Sequence, residues 1–561
     1  MTDVASLRPL AAVLVSAVAI PLIVASYRRP NLREAWTMLA ALAKVALVGS
    51  MVPGVLAGDA YVTDLGTFVA DVGFVLRVDA LGLLFGLLAS ALWVITSLYS
   101  IGYMRGLSEH SQTRYFASFA ASLATAVGVA FAANLVTLFI FYELLTVATY
   151  PLVAHDESEE ARAAGRKYLA YTFLGGVAVL TGTILVFGMT GTTAFGAGGI
   201  AELATADPAF ARLAFGLLAG GFGVKAALMP VHSWLPDAMV APTPVSGLLH
   251  AVAVVKSGVF GIARVTLDVF GPETMRELGV GLPLAAVATF TLLTASVIAL
   301  RKDNLKRRLA YSTISQLSYI VLGLGVLSGE AIVGGLLHIP AHAFMKLTLF
   351  FCAGAIHVET HTDDISNMAG IGRRMPLTMT AFAVASAGMA GIPLLAGFVS
   401  KWYLLIGSVS AGQGIFAIAL LVSGMLNIAY FWPIVYQAFF ESPESHDGKP
   451  LLSGQLGGRF AGGGIEEAAA AGESDAVRAD GGNQESESGY DHHDSDDHDH
   501  HGGPPAGGWE QSGWTGAEST WFMLGPILTA AGGAVALGVA PAAFVFLRIV
   551  QEIAANVGVV L

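Results

Sequence analysis

The stretch "GFGVKAALMP", residues 221–230, sets Lys225 inside a run that otherwise belongs in hydrocarbon. A lysine at the centre of a bilayer-spanning helix costs about 3 kcal/mol on insertion scales, so it is either functional or snorkels from a helix end. The whole chain has a membrane composition. Of its 561 residues, 55% are hydrophobic and 12% charged, with a mean hydropathy of +0.67, whereas a soluble protein carries about 25% charged residues.

Runs of about 20 apolar residues, the length an α-helix needs to cross the hydrocarbon core, predict an all-α polytopic membrane protein with about fourteen transmembrane helices, the first near Leu7 and the last near Trp521. The first run lacks a small-residue cleavage site and is expected to be retained rather than removed as a signal peptide. Basic residues follow the odd-numbered spans: Arg28, Arg29 and Arg33; Arg105; Arg162, Arg166 and Lys167; Arg301, Lys302, Lys306, Arg307 and Arg308; Arg373 and Arg374. The positive-inside rule makes those connections cytoplasmic. Both termini are then external, as is the connection carrying Asp59, Asp64, Asp71 and Asp79. The single cysteine, Cys352, excludes a disulfide framework or an iron–sulfur site built from this chain.

The net charge of −12 comes from one segment. Residues 441–518 hold 17 Asp/Glu against 3 Lys/Arg, leaving 24 against 26 elsewhere. Their Gly, Ser, Ala and acidic composition cannot bury a core, so a disordered cytoplasmic insert is expected. Its run "DHHDSDDHDHH", residues 491–501, offers imidazoles and carboxylates for Zn²⁺ or Ni²⁺, but no rigid spacing fixes a geometry, and a solvated linker is the favoured reading.

The charges inside the spans carry the chemistry. Glu143 in "LFIFYELLTVATYPL" lies about nine residues from either end of its run, too deep to reach an interface, and intramembrane carboxylates mark ion pathways. Lys256 is mid-span with His250 six residues earlier, a rotation of about 240°, so the two share a face only if the helix is distorted. His338, His342 and Lys346 recur at i, i+4 and i+8 and form one polar stripe. Three protonatable groups on one stripe suit a proton relay, and the stripe supplies no further ligand for a metal. Lys401 follows Gly388, Gly391, Pro393 and Gly397, as Lys225 follows Gly220, Gly221 and Gly223. Two Gly/Pro-interrupted spans, the seventh and twelfth, each with a lysine, are the signature of an internally repeated transporter with sites near the midplane. A buried lysine beside a movable counter-charge can be switched between holding and releasing a proton.

These residues resemble those of the antiporter-like membrane subunits shared by respiratory complex I, membrane hydrogenases and the Mrp cation/proton antiporters. The stretches that carry the resemblance are "FYELLTVATYPLV", "GVKAALMPVHSWLPDAMVAPTPVSGLLHA", "RKDNLKRRLAYSTISQLSYI" and "HIPAHAFMKLTLFFCAGAI". The resemblance implies two inverted five-helix repeats. Residues 1–113 are then accessory spans 1–3, 114–270 the first repeat (spans 4–8), 271–440 the second (spans 9–13), 441–518 the insert, and 519–561 span 14 and a tail. It further implies that Glu143 and Lys225 form a charged pair, Lys256 or His250 the connecting site, His338, His342 and Lys346 the central relay, and Lys401 the terminal site. By size and charge pattern the best match is the D-type subunit of the Mrp antiporters, although His250 and "HIPAHAFMK" are more similar to the A-type Mrp subunit or to the distal subunit of complex I.

The leading expectation is a proton-translocating subunit of a multisubunit Na⁺/H⁺ antiporter, with other membrane subunits as partners and no cofactor. A proton-pumping subunit of a redox complex is the alternative, with quinone and iron–sulfur partners. A scaffold without ion movement would merely pair the buried charges, and a sodium-only channel would need no line of lysines. There is no P-loop, and "GLGVLSG" lies within a hydrophobic helix, so direct nucleotide use is not expected, nor is a nucleic-acid partner.

Overall fold

The apolar runs become helices with recognisable ends. In the computed structural model, which describes residues 2–69, 72–442, 503–505, 508–514, 516 and 518–558, the order begins α1 (Arg8–Ala25), α2 (Pro30–Gly49), α3 (Ala80–Gly106), α4 (Gln112–Phe131), α5 (Leu135–Val153) and α6 (Glu159–Thr190). It continues with α7 (Pro208–Lys225), α8 (Thr243–Val269), α9 (Gly281–Leu300), α10 (Leu305–Val326) and α11 (Gly329–Thr360). Asn134, Ser158, Asn304 and Ser328 cap α5, α6, α10 and α11 by accepting from free first-turn amides. Then follow α12 (Pro376–Ala390), α13 (Ala396–Ser410), α14 (Gly414–Phe440), α15 (Trp521–Val539) and α16 (Val545–Asn556).

Twelve helices among the described residues are long and apolar enough to cross a membrane. The two other expected spans, seven and twelve, are the broken ones. Span seven is α7 followed by turns and the short helix Trp234–Asp237; span twelve is divided into α12 and α13 by Gly391, at φ +94°, and the following turn. The chain is a multi-pass membrane protein whose helices turn Leu174, Val177, Ile184, Ile418, Leu421 and Met425 outward, as lipid contact requires. Small residues bring the helices together. A Cβ added to Gly175 of α6 or Gly221 of α7 would strike the other's carbonyl, so only glycine permits that approach.

Two smaller elements accompany the spanning helices. A three-stranded sheet, β1 (Thr2–Ala5), β2 (Asp59–Val69) and β3 (Val72–Val78), covers one face, with β1 parallel and β3 antiparallel to β2. The aromatic and β-branched residues of "YVTDLGTFV" and "VGFVLRV" favour strands once no helical stripe competes. The tail is the helix α16, which reaches the same face, where Ile553 and Asn556 line a cavity with Arg77, Asp79 and Asp268. The basic connections lie at the other ends of these helices.

Asp71 and the run 491–501 lie outside the described residues. The distal end of the insert does not behave as a linker. Trp509 Nε1 donates to the Ala369 carbonyl (2.8 Å), and Arg374 to Ser512 Oγ (2.9 Å). The buried Glu518 carboxylate accepts from the Leu377 amide (2.9 Å), the Thr378 amide (2.7 Å) and Thr378 Oγ1 (2.6 Å). It occupies the first turn of α12, where free N–H groups and the helix dipole favour an anion. Composition places Glu518 in an acidic tract, but this one carboxylate is bonded as a helix cap. Glu518→Ala leaves those donors unpaired and is expected to destabilise the protein by about 2–4 kcal/mol, read as a lower unfolding midpoint in detergent. An unchanged midpoint would mean that water replaces the carboxylate.

Candidate functional site

Lys225 is the last residue of α7. Its backbone passes beside α8 because Gly258 has no Cβ; one there would overlap the Lys225–Ala226 peptide. Beyond it Ala227 takes φ +54°, and Trp234 Nε1 satisfies the Val224 carbonyl at 2.9 Å. The fully buried ammonium donates to the Tyr142 backbone carbonyl at 2.5 Å and lies 3.4 Å from the centre of the Tyr142 ring, a cation–π contact. Glu143, the next residue of α5, is half-buried in a niche that Gly176 leaves open, and its Oε1 has no hydrogen-bond partner. The expected Glu143–Lys225 ion pair is therefore not in contact: among the described residues no carboxylate lies within 4.0 Å of Lys225 Nζ. The carbonyl and ring of Tyr142 take its place.

In α8 a π-turn, Leu248–Val252, supplies the distortion that the His250–Lys256 spacing requires. It does not unite the two side chains. Lys256 Nζ lies 2.8 Å from His342 Nδ1 of α11, whereas both ring nitrogens of His250 lack partners and the ring packs 4.8 Å from Phe350. Of the two connecting residues expected, Lys256 is the one that joins the stripe.

The stripe on α11 fans out to three neighbours. Lys346 donates to the Leu309 carbonyl (3.1 Å) and Ser312 Oγ (2.9 Å) of α10. His338 lies between Ser400 Oγ of α13 (Nδ1, 2.8 Å) and Gln316 Oε1 of α10 (Nε2, 2.9 Å). The amide of Gln316 donates to Asn427 Oδ1 of α14 (3.3 Å), which also accepts from the Tyr430 hydroxyl. Lys401 donates to the Met389 carbonyl exposed by the break in span twelve (2.6 Å) and lies 4.6 Å from the centre of the Tyr319 ring, which is itself stacked on His338 at 5.4 Å. The two lysines beside the broken spans, Lys225 and Lys401, thus each bond a backbone carbonyl and lie over a tyrosine ring, although only Lys401 takes its carbonyl from its own break.

Several polar groups of this core were not read from the sequence. Gln316, Ser400, Asn427, Tyr319 and Tyr430 link the titratable residues, yet neutral polar side chains stand out little in an apolar run. Arg264 is a larger omission: it holds Asp79 by two bonds (2.6 and 2.8 Å) and Asp268 by one (2.7 Å). Lys44, buried in "AALAKVALVG", donates to the Leu123 carbonyl at 2.8 Å, and its own mid-span charge was the available signal.

The family model described as "NADH:quinone oxidoreductase/Mrp antiporter, TM" matches residues 132–427, which contain every titratable residue of the line. The chain is 34% identical over 358 residues to NADH-quinone oxidoreductase subunit N of Desulforudis audaxviator, covering 61% of this chain and 68% of that one. It is 37% identical over 348 residues to the A-type subunit of the Na⁺/H⁺ antiporter of Alkalihalophilus pseudofirmus, covering 59% of this chain and 42% of the other, so it spans less than half of that longer protein. A chain in the structure of the Mrp complex from Dietzia sp. DQ12-45-1b has the same fold, with a TM-score of 0.76 over 98% of both chains at 22% identity. These relatives are subunits of multisubunit membrane complexes.

Proposed function

The chain belongs to the NADH:quinone oxidoreductase/Mrp antiporter transmembrane family, and from that premise we propose that it is a proton-translocating subunit of a multisubunit Na⁺/H⁺ antiporter of the Mrp type. The D-type assignment rests on its charge pattern, with lysine rather than glutamate in the second broken span. Other membrane subunits are its partners. The basic connections face the cytoplasm, the termini face outside, and the two broken spans belong to inverted repeats of five helices each.

The observation that carries the reading is the 2.8 Å bond between Lys256 Nζ and His342 Nδ1 in the buried centre of the bundle. Both atoms are bases, so the bond needs one proton, and either nitrogen can own it. A scaffold would pair each cation with a carboxylate; this line instead offers carbonyls, rings, amides and a second base. Glu143 biases the proton on Lys225 through its field. Lys256 and His342 pass a proton at the centre, with His250 packed to one side and Lys346 biasing the pair. His338 connects to Lys401 through Gln316, Asn427 and Tyr319. The His342 and His338 rings are 6.1 Å apart between centroids, a step suited to one bridging water.

The similarity to subunit N favours a second reading, a pump subunit of a quinone-linked redox complex. Everted vesicles holding the assembled complex separate the two. Under the antiporter reading, adding Na⁺ dissipates an imposed ΔpH without NADH or quinone. Proton movement that requires an electron donor and quinone, and ignores Na⁺, would replace it with the redox reading.

A further inference from the structure

A cluster outside the buried line joins two connections on the basic face. Glu109 and His110 lie in the connection between α3 and α4, and His155 lies between α5 and α6. Their ligand-type atoms all lie within 4.8 Å of one another. The His110 Nε2 atom is 3.0 Å from the His155 backbone carbonyl. A carbonyl can only accept, so Nε2 carries the hydrogen, and in the neutral ring Nδ1 keeps a free lone pair. That nitrogen is 3.7 Å from Glu109 Oε2. Two acceptors then face each other with no hydrogen between them.

The third member is fully buried. His155 has no exposure, neither of its ring nitrogens has a hydrogen-bond partner, and its ring lies 4.8 Å from that of His110. A buried imidazole in a folded protein is normally hydrogen-bonded, so an orphaned one beside two other lone-pair donors requires an explanation. Packing against Tyr115, 5.7 Å away, fixes the ring but satisfies neither nitrogen. The neighbouring charges are mixed. Asp156 adds negative charge near Glu109, Lys306 and His357 oppose it, and Arg114 is engaged by Glu157 and the His155 carbonyl.

We propose that Glu109, His110 and His155 form a binding site for a transition-metal ion of the Zn²⁺ class, which ties the 107–111 connection to the 154–158 connection. Two imidazole nitrogens and one carboxylate suit Zn²⁺, with a fourth position for water. Tetrahedral bonds of about 2.0–2.1 Å place ligand atoms about 3.3 Å apart, so closing the cluster from its present spacing needs only side-chain rotation. The His110–carbonyl bond is the outer-shell contact that orients a metal-binding imidazole.

The test uses the full chain in detergent with His446, His492, His493, His498, His500 and His501 changed to Asn, so that the histidines of the insert do not compete. Co²⁺ is titrated alone, then displaced with Zn²⁺. The parent is expected to bind one equivalent with the visible absorption of a four-coordinate ion. His110→Ala and His155→Ala should each weaken binding by about tenfold or more, and Glu109→Gln by a smaller factor. His357→Ala, whose ring is bonded to Asp363, should bind as the parent does. The His110 side chain is about half exposed, so its alanine variant tests the site even if His155→Ala does not fold. Parental Co²⁺ affinity in His110→Ala, or no four-coordinate equivalent in the parent, overturns the proposal.

Discussion

Lys225→Arg should stop proton-coupled flux in vesicles holding the assembled complex, by about a hundredfold or more, while insertion and assembly remain. The substitution keeps the positive charge, a donor for the Tyr142 carbonyl and a cation for its ring. What arginine removes is the ability to give up a proton at any accessible pH. A side chain needed only for charge or packing would tolerate the change. Glu143 is the partner test. Because its carboxylate does not touch the ammonium, it acts through its field rather than through a bond. Glu143→Asp should therefore retain part of the flux, and Glu143→Gln, which removes the field and keeps the shape, should lose about tenfold or more. Near-normal flux in Lys225→Arg would remove Lys225 from the proton path.

His342→Asn should cost about as much, again a hundredfold or more in flux, with little loss of stability. The Asn carbonyl takes a position close to Nδ1 and still accepts from Lys256 Nζ, so the buried bond survives at a cost of about 1 kcal/mol. An amide cannot take up the proton and pass it on. Lys256→Met should be equally inactive, and the double variant no worse than either single one, because the two nitrogens act as one unit. His250→Ala should cost less than about tenfold, since the ring bonds to nothing in the line. Flux retained in His342→Asn but lost in His250→Ala would reroute the proton through the π-turn.

Much of this was legible because hydrocarbon is an unforgiving solvent. An uninterrupted apolar run has few alternatives to a helix, and a lysine or carboxylate inside one is conspicuous. The breaks beside Lys225 and Lys401 were visible for the same reason, in their clustered Gly and Pro. Contacts between helices were not legible. Spacing along α5 and α7 says nothing of the distance between them, so the Glu143–Lys225 contact was expected where Tyr142 intervenes. Gln316 and Asn427 escaped notice because neutral amides cost far less to insert than charges and read as ordinary variation. The sheet at residues 59–78 was overlooked because alternation in a short connection is a weaker signal than twenty apolar residues.

Glu518 gives α12 a mechanical character. The helix is 15 residues long, about 22 Å as a rod. One end is gripped by the last part of the acidic segment, and the other ends at Met389 and Ala390, with the Met389 carbonyl holding Lys401. Hydrogen-bonded helices resist axial stretching, so a pull or push at Glu518 is delivered to that carbonyl rather than absorbed on the way. A displacement of Glu518 along the helix axis would thus reach the seat of Lys401.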